Sequence, residues 1–204
     1  MKGNLHIKSF IILSLYFIFF TCIGTLMHEA GHYAIAGLLG LHPQLHYNFT
    51  SLQDQSLTAS ESYLVTAAGP LSTLFTALLG LIYLFQRVKA ALPVSEWSRL
   101  HTLAFFASLF LLRFPFNALV RGITLFFHTP GDMASDEQSL ALALDWPKDS
   151  ISLFMALMAS VVLLIIFFRF VTKQDRWMVL LSAFTGSFFG ILIWMKFLGP
   201  LLLP

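Results

Sequence analysis

Five stretches of this 204-residue chain are long and apolar enough to cross a lipid bilayer, which constrains its fold more than any other feature. They run from about Phe10 to Leu39, Ser62 to Gln86, His101 to Phe127, Ile151 to Val171 and Trp177 to Leu198. Roughly 18 consecutive apolar residues suffice for a helix to cross the hydrocarbon core. Within lipid every backbone polar group needs an internal partner, so a span is either a helix or a strand of a closed barrel. Barrel strands alternate apolar and polar residues, and these runs do not. The expected fold is all-α, a polytopic integral membrane helix bundle of about five transmembrane helices.

Composition agrees: 57% of the residues are hydrophobic and 11% charged, with 22 Phe, where soluble domains are about a quarter charged. A net charge of +2, scattered along the chain, argues against a nucleic-acid surface. Cys22 is the only cysteine, which rules out an internal disulfide. Lys2 and Lys8 ahead of Phe10 to Phe20 resemble a secretory signal, but Phe19-Phe20-Thr21-Cys22 lacks the small residues of a processing site, so the segment reads as a retained span. The loop from His42 to Glu61 is long enough for a re-entrant element or hairpin.

Basic residues are retained on the cytoplasmic side of a membrane. Lys2 and Lys8 precede the first span, Arg87, Lys89 and Arg99 follow the second, and Arg169, Lys173 and Arg176 follow the fourth. The other loops are acidic, with Asp54 and Glu61 in one and Asp132, Asp136, Glu137, Asp145 and Asp149 against Lys148 in another. This alternation predicts a cytoplasmic N-terminus and an external C-terminus.

The chemistry concentrates in His28-Glu29-Ala30-Gly31-His32, inside the first span. Histidines four apart on a helix project from one face, one turn apart, as two ligands of one zinc ion require. Glu29 lies on nearly the same face and can act beside the metal as general base toward a bound water. Burying a carboxylate and two imidazoles in lipid is costly unless they serve a function. Gly24, Ala30, Gly31, Ala34 and Gly37 surround the motif and allow a neighbouring helix to come close.

This motif, followed in the next span by Ala68-Gly69-Pro70, resembles the site-2 protease family of intramembrane zinc metallopeptidases. The resemblance covers roughly two thirds of the chain. It implies Zn2+ as cofactor, Glu29 as catalytic base, and cleavage of transmembrane or membrane-associated protein substrates by metal-activated water. On that reading residues 1–204 form a single membrane-embedded metallopeptidase domain, with a catalytic core at about 10–145 and additional spans at about 150–200.

The family takes a third metal ligand, an aspartate, from a later helix. Its usual Leu-Asp-Gly is absent here, and Thr73 stands where an Asn is often found after Gly-Pro. Two aspartates follow the third span: Asp136, preferred because Ser135-Asp136 precedes the helical-looking Glu137 to Leu144, and Asp132 as the alternative. Arg113, Asn117 and Arg121, at intervals of four, form one polar stripe on the third span. Asn117 resembles the family asparagine that helps hold the substrate strand. Arg113 or Arg121 could stabilise an oxyanion or pair with a loop carboxylate.

Other features read as structure. Pro43 interrupts any helix joining His42 to His46, His101 and His128 sit at span ends, and Gly186 with Gly190 suggests a helix contact. An inactive pseudoprotease or membrane scaffold or chaperone that keeps a metal site is the alternative to an enzyme, and an intact Glu29 favours the enzyme. A metal transporter would need ionisable residues along several spans. Familiar site-2 proteases place the active site nearer the cytoplasm, whereas the basic residues here place it toward the external face. The expected partners are a membrane protein substrate and the lipid bilayer.

Overall fold

The computed structural model describes residues 2–52, 57–127 and 134–204, with backbone alone for residues 2–6. The chain is an all-α helix bundle. Among the described residues five helical segments are long and apolar enough to cross a membrane: Ile7–Leu38, Ala59–Arg87, Arg99–Phe126, Ser150–Phe170 and Arg176–Leu202.

Helix α1 (Lys2–Leu38) is followed by a short antiparallel hairpin, β1 (Pro43–Leu45) with β2 (Thr50–Leu52), in the loop where a hairpin or re-entrant element was expected. Helix α2 (Ala59–Arg87) begins earlier than hydropathy suggests. Thr58 and Glu61 form a capping box there, with Thr58 Oγ1 accepting from the Glu61 N–H at 3.3 Å and Glu61 Oε2 accepting from the Thr58 N–H at 2.8 Å.

The third span is broken. Helix α3 (Arg99–Ser108) passes through a 3-10 segment, Leu109–Leu112, into α4 (Arg113–Phe126). Pro115 accounts for the break, because it lacks an N–H and its ring conflicts with the carbonyl four residues earlier, at Leu111. A short helix α5 (Asp136–Ala143) precedes α6 (Ser150–Phe170) and α7 (Arg176–Ile193). A π turn, Trp194–Leu198, and α8 (Gly199–Leu202) complete the last span.

Helix α1 packs between α2 and α7, α2 against α3, and α4 against α6, while α5 bridges α2 and α6. The Gly186 and Gly190 pair makes the α1 contact close: a methyl group at Gly186 would meet Ser14 O at 2.5 Å, and one at Gly190 would meet Thr21 Cβ at 2.9 Å. The main apolar core joins Leu13 and Phe17 of α1, Leu84 and Val88 from the end of α2, Phe105 and Phe106 of α3, and Ile166 and Phe170 from the end of α6. These positions share one end of the bundle, and His28 lies about three helical turns farther along α1 than Phe17.

Candidate metal centre

Helix α1 presents His28 and His32 toward α2 and α5, with Glu29 beside them, and all three are buried, with 1%, 5% and 8% of their surface exposed for His28, Glu29 and His32. One ligand atom from each lies within 4.8 Å of the others. Small residues bring the helices this close. A methyl group at Gly31 would meet Ala68 O at 2.5 Å, and Ser72 Oγ donates to the Met27 carbonyl at 2.5 Å. A methyl group at Gly69 would collide with the Nε2 atoms of both histidines. Gly24 instead faces Phe110, and Gly37 has nothing near it.

Each imidazole is oriented from α2. Thr73 Oγ1 donates to the Gly69 carbonyl at 3.2 Å, leaving its lone pairs to accept from His28 Nδ1–H at 3.1 Å. The Val65 carbonyl can only accept, so His32 Nδ1 carries the hydrogen of the 2.7 Å bond between them. Both Nδ1 atoms are therefore protonated, and both Nε2 atoms turn lone pairs inward. Those Nε2 atoms are 3.2 Å apart, and Asp136 Oδ2 lies 2.8 Å from that of His28 and 3.3 Å from that of His32.

Three acceptors facing one another at such distances need positive charge between them. A proton on one Nε2 serves one pair. Burial pushes the Asp136 carboxyl up, but the facing imidazoles, each a cation that donates to it once its Nε2 is protonated, outweigh burial and hold this group well below the usual carboxylate range, so Asp136 enters as a carboxylate. A metal cation serves all three at once, and donors about 2.0 to 2.1 Å from a tetrahedral ion stand about 3.3 Å apart. The donor set is two neutral imidazoles and a carboxylate, one fewer than the four ligands of a closed tetrahedral site.

Asp136 is the first residue of α5, held there by the cap at Ser135. Asp132 lies outside the described residues, as does His128. Arg113, Asn117 and Arg121 all lie on α4; among the described residues no hydrogen bond or ion pair joins them to the imidazoles, although the Arg113 charge is near enough to act on His28 and Glu29. Arg121 Nε is 3.4 Å from Asp149 Oδ1, at the start of α6. Arg113 Nε is buried without a hydrogen-bond partner among the described residues, and Asn117 is half-buried.

No family model, curated protein or solved structure matches the chain. The site stands on its own geometry.

Sequence reasoning passed over the residues that hold the ligands. Thr73 figures there only as a departure from Asn, although as the partner of a helix-borne histidine its hydroxyl suffices. Val65 acts through its carbonyl, which no side-chain pattern reveals. Thr50 of β2 donates to the Glu29 carbonyl at 3.1 Å and ties the hairpin to the motif.

Proposed function

We propose that this chain is an intramembrane zinc metalloendopeptidase of the site-2 protease type. The observation that carries the reading is the convergence of His28 Nε2, His32 Nε2 and Asp136 Oδ2 within 3.3 Å of one another, beside a buried Glu29 in a membrane-spanning helix.

His28, His32 and Asp136 would hold the metal, and zinc bound there would polarise a scissile carbonyl and lower the pKa of a water to about 7. The residues of the chain supply the rest. Glu29 takes a proton from the attacking water and returns it to the leaving nitrogen. Thr73 and Val65 fix the imidazole rings, and the burial of all three motif side chains keeps bulk water from competing for them. The substrate is a membrane protein segment, because the motif lies within a span. The distribution of basic residues among the loops supports a cytoplasmic N-terminus, with this end of α1 toward the external face.

Metal analysis of the purified protein tests the site, and His28→Ala and His32→Ala should each lose the zinc. Stoichiometric zinc retained in both variants would sink the assignment. Glu29→Gln separates an enzyme from a metal-binding scaffold: it should keep metal and fold while losing cleavage of membrane peptides, and wild-type cleavage by this variant would remove Glu29 as the base.

A further inference from the structure

We propose that Asp149, acting through Gln138, is the positioning residue that sets Asp136 against the two imidazoles. The inference rests on the metal reading above.

Asp136 reaches the site from an eight-residue helix, and a helix that short does not persist on its own. Something else must fix its first turn. Ser135 Oγ accepts from the Gln138 N–H at 3.3 Å, while Gln138 Oε1 accepts from the Ser135 N–H at 3.0 Å. This reciprocal pair sets the direction in which Asp136 leaves the backbone. The other end of the same amide donates to Asp149: Gln138 Nε2 lies 2.6 Å from Asp149 Oδ1, the short separation of a charge-assisted bond.

Only one orientation of the Gln138 amide satisfies both ends, since the Ser135 N–H needs an acceptor and the Asp149 carboxylate needs a donor. Gln138 is 3% exposed, so water offers no easy substitute. Asp149 occupies the N-cap position of α6 but makes no side-chain cap bond there. Its Oδ1 instead meets Gln138 and Arg121. A chain of contacts thus runs from the start of α6, through Gln138 and Ser135, to Asp136. Asp149 touches neither imidazole and acts only through where it holds α5.

The test is the zinc dissociation constant of the full chain in lipid nanodiscs, measured by competition with a chromophoric chelator. Residues that hold a metal ligand by hydrogen bond typically account for about 10- to 100-fold in affinity. Asp149→Ala should weaken zinc binding by that factor. Asp149→Asn keeps an acceptor for Gln138 and should bind close to wild type. Gln138→Leu removes both amide bonds at similar volume, so it should match Asp149→Ala and serves if that variant does not fold. Wild-type affinity in both Asp149→Ala and Gln138→Leu would overturn the proposal, as would Asp149→Asn binding as weakly as Asp149→Ala. His28→Ala is the separate control: zinc retained there would refute the metal site itself, whatever the Asp149 variants do.

Discussion

His28 Nδ1 and the Thr73 hydroxyl lie 3.1 Å apart, and because Thr73 also donates to the Gly69 carbonyl, the hydrogen between them belongs to the imidazole. A single hydroxyl on α2 thereby decides which nitrogen of His28 faces the metal position. Thr73→Val, nearly the same shape without the acceptor, should weaken zinc binding by about 10- to 100-fold, and Thr73→Ser should restore most of it. A chelator competition assay reads both. Unchanged affinity in Thr73→Val would mean that the ring is held by packing alone.

Gly69→Ala tests the closeness of α1 and α2. Its new methyl group would strike the Nε2 atoms of His28 and His32, the atoms proposed to bind metal. Zinc should be lost to at least the extent seen on removing a hydrogen-bonded supporting residue, about 100-fold, while helical content measured by circular dichroism stays near wild type. Gly37→Ala is the matched control, since a methyl group there meets nothing. Equal zinc content in the two variants would contradict the geometry.

The two aspartates after the third span should separate in the same assay. Asp136→Ala removes the carboxylate that lies 2.8 Å from His28 Nε2 and should abolish most zinc affinity. Asp132→Ala should bind far more tightly than Asp136→Ala. The reverse order would move the third ligand to Asp132.

For orientation, single cysteines introduced into the basic loops, between Arg87 and Arg99 or between Arg169 and Arg176, should react only after the membrane is breached. Cys22→Ser is a suitable background because Cys22 Sγ donates to the Gly190 carbonyl at 3.8 Å and serine keeps a donor there. Labelling of these loops from outside intact cells would invert the topology.

The spans were legible in the sequence because lipid imposes a length and a polarity that no other environment does. What escaped notice was set by single residues or by backbone. Helix α2 starts at Ala59 rather than near Ser62 because one Thr58–Glu61 capping box outweighs the drop in hydropathy. The third span reads as continuous although Pro115 divides it into α3 and α4. At the site, the spacing of His28, Glu29 and His32 is written into one helix. Ser135 and Gln138 form a local capping box that the sequence carries, but the meeting of Gln138 and Arg121 at Asp149 joins three elements, and only the packed bundle reveals that partner.

Among the described residues the larger buried apolar cluster lies toward the opposite end of the bundle from His28, where Leu13, Phe17, Leu84, Phe105, Ile166 and Phe170 meet. The apolar clamp of the bundle therefore sits in its basic half, while around His28 and His32 the helices are joined by hydrogen bonds from Thr73, Val65 and Asp136. Local opening costs least where buried apolar contacts are fewest. Backbone amides around Val65 and Gly69 should accordingly exchange with solvent sooner than those around Leu84.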